Sequence, residues 1–192
     1  MLQGFQSETN DSQLIFRKLL TAMASPGSIE TIDLDINCPG NLHPASGGIL
    51  LTLLDFETPF WTDLDEYSKE IQWIQFHTSA PVKDSATNSL FAICTHYDEL
   101  EDPNLFNPGT LSSPDLSTTL LIQTRGLDNN GKIRLTGPGI QTEAYLRLKG
   151  IKEVFLKRRA QMVKNYPQGV DMIFICDNRF VCVPRTTILE VF

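Results

Sequence analysis

Cysteine is scarce in this chain of 192 residues, and Cys38, Cys94, Cys176 and Cys182 form no CxxC pair and have no histidine at zinc-finger spacing. That pattern argues against a zinc module and against the closely spaced thiolates of an iron–sulfur site. Histidine is scarcer still, with His43, His77 and His96 far apart and no HExxH spacing to put two imidazoles on one helical face. No GxSxG elbow presents a nucleophile, and no Gly-Lys-Ser or Gly-Lys-Thr closes a Walker loop. Apolar runs long enough to cross a bilayer, ~20 residues, are missing too. The opening MLQGFQSETN has no basic region leading into an apolar one, so a cytoplasmic location is expected. Neither a catalytic set, a metal site nor a cofactor is expected from local patterns.

Positive charge is also in short supply. Sixteen Lys and Arg face 23 Asp and Glu, a net charge of -7, so the average field repels nucleic acid. The basic run Lys157, Arg158 and Arg159 reads as a solvated helix face or a partner contact. With 41% hydrophobic residues the chain has the composition of a soluble globular protein, and residues 1–192 are expected to form one domain.

What is present is a mixed pattern of helices and strands. Residues 10–27 carry the cap candidates Asn10, Asp11 and Ser12 before Ile15, Leu19 and Met23, then a Ser-Pro-Gly stop. Residues 45–55 are apolar on nearly every side and predict an interior helix, with Gly47 and Gly48 permitting close backbone approach. Tyr67, Ile71 and Ile74 predict a surface helix over 63–76. Strands are expected over 90–95, 118–125 and 132–136, the last two joined as a hairpin through Asp128-Asn129-Asn130-Gly131. Residues 99–117, rich in Pro, Asn and Ser, are expected to form one long irregular connection or a short helix with loops, and a helix over 149–165 precedes strands at 170–176, 179–183 and 188–192. If Asp177-Asn178 is a two-residue loop, Ile173 faces Cys182, Cys176 lies on the other face, and all four thiols stay free. The fold class that follows is α/β, a mixed sheet between helices in three αβα layers.

The stretch Gly137-Pro138-Gly139 looks like a phosphate cradle at a strand end, with a helical segment beyond it. The third glycine of a dinucleotide fingerprint is replaced by Thr142, and proline removes a backbone donor, so a tight turn is expected. Three polar patches are left: 76–78 with His77, Gly109-Thr110, and 184–187 with Arg185, Thr186 and Thr187. Arg185 with its neighbouring hydroxyls offers either a fork for phosphate or carboxylate, or an arginine tying down carbonyls at a strand end. His77 reads as a packing residue and Asp171 as a cap at a strand entry. The candidate ligand-binding group is therefore His77, Thr110, Arg185 and Thr186.

In order, residues 16–27 (FRKLLTAMASPG), 50–61 (LLTLLDFETPFW), 76–81 (FHTSAP), 107–110 (NPGT), 135–140 (LTGPGI), 166–173 (YPQGVDMI) and 184–191 (PRTTILEV) resemble the PhnH family, the H subunit of the bacterial carbon–phosphorus lyase system. The resemblance reaches nearly the whole chain; only 100–106 and the basic helix 157–159 match no family motif. It implies a fold similar to the large domain of pyridoxal-phosphate transferases without a working cofactor site. It also implies an accessory subunit that acts with the G, I and J subunits and forms a homodimer when isolated. The system couples a phosphonate to the ribose of ATP with release of adenine, and the H subunit is required for that ribosyl phosphonate triphosphate synthase step. The alternative is a stand-alone binder or transferase for a small anion or nucleotide, with its pocket around Arg185.

Overall fold

The computed structural model describes residues 2–192. In chain order the helices are α1 (Glu8–Ala24), α2 (Pro44–Leu53), α3 (Lys69–Thr78) and α4 (Glu153–Met162). The strands are β1 (Ile29–Thr31), β2 (Phe60–Thr62), β3 (Phe91–Cys94), β4 (Thr119–Gln123), β5 (Gly126–Thr136), β6 (Ala144–Lys149), β7 (Asp171–Cys176), β8 (Arg179–Val183) and β9 (Ile188–Val191). Six of them form a sheet in the order β1-β8-β7-β4-β3-β2, and three form a second sheet in the order β6-β5-β9. In the large sheet β2, β3, β4 and β7 run parallel, while β8 and β1 are antiparallel to their neighbours.

Central strands covered on both faces must be apolar throughout, which is what Leu120-Leu121-Ile122 and Met172-Ile173-Phe174-Ile175 provide. Strand alternation then divides them between two cores. Leu121, Ile173, Ile175, Phe180 and Cys182 meet Ile15, Leu19, Ile49 and Trp73 from α1, α2 and α3. Leu120, Ile122, Met172, Phe174 and Val181 meet Leu135, Leu146, Phe155 and Leu189 from the small sheet and α4. The chain is thus a mixed α/β fold in three layers. The expected αβα arrangement needs correction on the second face, where α4 shares the layer with an antiparallel sheet. The cause is the segment Tyr145-Leu146-Arg147-Leu148, which alternates with period two and buries only its leucines.

The expected β4–β5 hairpin does not form. β4 is already flanked by β3 and β7, so the chain leaves the large sheet at Thr124 and Arg125, and Asp128 to Gly131 lie inside β5. There the pairing with β6 shifts register between Asp128 and Ile133. Gly131 allows the close approach, because a Cβ at that position would lie 1.9 Å from the Leu146 carbonyl oxygen. The hairpin of β7 and β8 forms as expected, with Ile173 opposite Cys182 and Cys176 in the other core. All four cysteines are free. Gly47 and Gly48 also behave as expected, since Cβ atoms there would come within 2.2 Å of Cys38 Sγ and 2.7 Å of Ile36 Cδ1.

Helix boundaries differ locally. α1 begins after Ser7, whose N–H donates to Asp11 Oδ2 at 2.9 Å, so the three expected cap residues lie within the helix. α3 starts only at Lys69, where Ser68 Oγ accepts the Ile71 N–H at 3.3 Å. α4 spans ten residues rather than the whole of 149–165, because Lys149 belongs to β6 and 163–165 tighten into a 3-10 turn.

The Gly-Pro-Gly stretch is the tight turn the sequence suggests, closed by Ile140 N–H to Gly137 O at 3.1 Å, but β6 follows it instead of a helix. Gly139 sits at φ +83°, and a Cβ there would fall 2.2 Å from the Ala24 carbonyl oxygen at the end of α1. A side chain would meet both backbone strain and a collision with the backbone of another element. Gly139→Ala is therefore expected to lower the unfolding free energy by about 2 kcal/mol. A urea midpoint equal to that of the unaltered chain would contradict this reading.

Candidate functional site at the carboxyl edge of the parallel strands

Ligands of open α/β sheets bind outside the carboxyl ends of the parallel strands. The register here brings four such ends together: Thr62 beside Ile93, Cys94 beside Ile122, and Gln123 beside Ile175. The residues emerging from that edge are Asp63, Thr95, His96, Gln123 and Asp177. Each closes an apolar strand or follows one within two residues.

Asp63 organises one side. Its carboxylate accepts the Thr95 N–H and hydroxyl, each at 2.9 Å, and the His96 N–H at 2.7 Å. Its Oδ2 also lies 3.5 Å from His96 Nδ1. On the other side the start of α2 is tied to β4: His43 N–H donates to Gln123 Oε1 at 2.7 Å, and Gln123 Nε2 donates to the Asn41 carbonyl at 2.9 Å. Asp177 N–H donates to His43 Nδ1 at 3.1 Å. Because Nδ1 accepts, the neutral ring carries its proton on Nε2.

Burial lowers the His43 pKa from its ordinary 6.5, against an opposing pull from Asp177. A group with a lowered folded value favours the folded state above its unfolded pKa. That contribution is lost as pH falls from 6.5 through the folded value, because the unfolded chain binds the proton more readily. The urea midpoint is expected to fall between about pH 7.5 and about pH 5, and less steeply in His43→Asn. Identical slopes in both proteins would exclude His43 as the source.

Two cavities flank the segment 95–97. One, of about 390 Å³, is lined by Asn41, His43, Thr95, Tyr97 and Gln123. The other, of about 410 Å³, lies over Trp61, Leu100 and Leu105 with carboxylates at its rim. The first offers hydrogen-bond donors and neutral rings. Burial pushes the Cys94 thiol well above its ordinary pKa, which disfavours a thiolate there. Among the described residues no group of three His, Cys, Asp or Glu is placed to hold a metal ion.

Three of the four sequence-predicted site residues gather at the opposite, amino edge. Arg185 is committed there: its N–H donates to Asp171 Oδ1 at 2.8 Å, and its Nε lies 3.2 Å from both carboxylate oxygens. Its Nη2 also pairs with Asp171 Oδ2, and its Nη1 donates to the Pro114 carbonyl. Asp171 thus receives the arginine at the start of β7. Thr110 belongs to the loop that Pro114 anchors, and its Oγ1 accepts the Ser113 N–H at 2.9 Å. Thr186 lies in a turn closed by Thr187 N–H to Pro184 O at 2.9 Å. His77 stands apart on α3, its Nε2 3.1 Å from the Leu2 carbonyl and its ring 5.0 Å from that of Trp73.

The basic run divides. Lys157 pairs with Glu153 at 2.5 Å, and Arg158 Nη1 donates to the Glu101 carbonyl at 3.2 Å. Arg159, expected on a solvated face, is instead buried at 1% exposure, with Nη2 donating to Pro184 O at 2.7 Å.

Residues 3–190 match the profile of the family described as bacterial phosphonate metabolism protein, PhnH. The chain belongs to the PhnH family. It is 33% identical over 188 residues to the alpha-D-ribose 1-methylphosphonate 5-triphosphate synthase subunit PhnH of Rhizobium meliloti (strain 1021), covering 97% of this chain and 94% of that protein. It is also 28% identical over 176 residues to the putative C-P lyase subunit protein HtxG of Stutzerimonas stutzeri, covering 91% and 84%. Seen in this PhnH fold, the resembling stretches 107–110, 166–173 and 184–191 meet one another at the amino edge. Gly169 N–H donates to Pro108 O at 2.8 Å, Gln168 Nε2 donates to Gly109 O at 3.0 Å, and Arg185 reaches Asp171. The carboxyl-edge residues Asp63, His43, Tyr97 and Gln123 were missed by sequence reading. For Asp63 and Gln123 the signal was available as a polar residue at, or just past, the end of an apolar strand, whereas His43 sits before α2 after a loop and Tyr97 lies three residues beyond β3.

Proposed function

We propose that this chain is the H-type subunit of an alpha-D-ribose 1-methylphosphonate 5-triphosphate synthase within a carbon–phosphorus lyase system, serving organic phosphonate catabolism. The observation that carries the proposal is the end-to-end match to the Rhizobium meliloti subunit at 33% identity. In this reading residues 1–192 act as one cytoplasmic unit, without a cofactor of its own, that joins the G, I and J subunits and pairs with itself when isolated. It is an accessory part of a transferase rather than a self-sufficient enzyme. The kinship of its large sheet with that of pyridoxal-phosphate transferases belongs to the same proposal, supported by four parallel strands bordered by an antiparallel one. Expressed in a bacterium lacking its own H subunit, the chain is expected to restore growth on methylphosphonate as the phosphorus source. Normal growth on phosphate with none on methylphosphonate would reject the assignment.

A second reading, a small-anion site, is favoured by the convergence of Thr110, Arg185 and Thr186 at the amino edge. The anion would have to displace Asp171 from the guanidinium. Titration with inorganic phosphate, followed by the arginine side-chain NMR signals, is expected to move Arg185 in that case; signals that stay in place reject it.

A further inference from the structure

The cavity beside Trp61 takes Leu100, Glu101, Asp102, Leu105 and Arg158 from the two stretches that match no family motif. Its apolar floor is Trp61, Leu100 and Leu105, and Leu105 remains 58% exposed at the mouth. Its rim carries four carboxylates, Asp63, Glu99, Glu101 and Asp102, against the single guanidinium of Arg158. Three of those acids are already engaged: Asp63 by backbone and hydroxyl donors, Glu101 by Lys152 at 2.6 Å, and Asp102 by Arg158 at 3.4 Å. Glu99 has no ion-pair partner among the described residues, and it is exposed.

We propose that this cleft docks a basic segment of another subunit of the assembly, with an arginine or lysine side chain entering it. The inference rests on the reading of the chain as an assembly subunit. An apolar floor under an acidic rim fits one class of side chain particularly well. The methylene stem of arginine or lysine covers Leu100 and Leu105, and its charged head meets Glu99 at the rim. A neutral apolar anchor would leave Glu99 desolvated and unpaired, and an acidic one would be repelled. A second copy of this chain is a poorer occupant of this cleft, because its basic run is already engaged: Lys157 by Glu153, Arg158 by Glu101 and Asp102, and Arg159 in the core.

The test is co-expression of the tagged chain with the G, I and J subunits, followed by capture at graded salt. Glu99→Lys combined with Leu105→Ser alters two exposed positions and is expected to keep the circular dichroism of the unaltered chain. Captured partner should fall about tenfold, and the remainder should be released at lower salt. Asp33→Lys, past β1 at the opposite border of the large sheet, should capture as the unaltered chain does. Equal capture by the double variant overturns the cleft while leaving the proposed function standing. No capture by the unaltered chain overturns both. Recovery of an untagged second copy through this cleft, in place of a partner, overturns the assigned occupant.

Discussion

Arg159→Glu is expected to abolish folding, and Arg159→Ala to lower the unfolding free energy by about 3 kcal/mol. Arg159 is 1% exposed, and its Nη2 supplies the Pro184 carbonyl at 2.7 Å and the Thr187 carbonyl at 3.4 Å. Its Nε and Nη1 have no partner, and neither does the buried Thr187 Oγ1. Burial holds the guanidinium pKa down at about 10, the mark of a charge kept in poorly solvating surroundings, with Asp171 pulling the other way. Truncation to alanine removes the donor from two carbonyls and opens a void the size of a large side chain, and relief from burying the charge offsets only part of that. Arg159→Met keeps most of the volume and discards the charge, so it should lose less than the alanine variant. Urea unfolding followed by circular dichroism ranks the three. A well-folded Arg159→Glu would show that the α4 side of the core is far more open than 1% exposure implies.

Arg159 also shows what could be read in advance and what obscured it. Phe155, Arg159 and Met162 fall at helical spacing, and all three are buried. Periodicity therefore placed Arg159 inside, and its charge drew the reading outward. The β7–β8 hairpin was legible because a two-residue loop fixes register locally, Ile173 to Cys182 included. The same rule failed at Asn130-Gly131, because whether β4 had a free edge depended on β3 and β7, which are distant in sequence. Parallel neighbours have no local code, so the carboxyl edge, where Asp63 meets Thr95 and His43 meets Gln123, emerges only once the strand order is known. At the amino edge the residue types were evident, and the partner was not: the acceptor for Arg185 lies 14 positions away at Asp171.

That pairing leads to the second large effect. Arg185 and Asp171 retain 17% and 20% side-chain exposure, so most of each charge is removed from water. Arg185→Ala leaves the Asp171 carboxylate without its cation and frees the Pro114 carbonyl, for an expected loss of about 3 kcal/mol. Asp171→Ala strands the guanidinium in the same way. The double variant, having no orphaned charge, should lose about 2 kcal/mol less than the two single losses combined. Arg185→Lys keeps the charge but cannot reproduce the fork that reaches Asp171 and Pro114 together, so it should recover less than half of the alanine loss. A guanidinium reserved for an external anion predicts the reverse: near-neutral stability on truncation, with loss confined to phosphonate-dependent growth. A coupling below about 0.5 kcal/mol, with growth abolished in a fully stable Arg185→Ala, would move Arg185 from the scaffold to the chemistry.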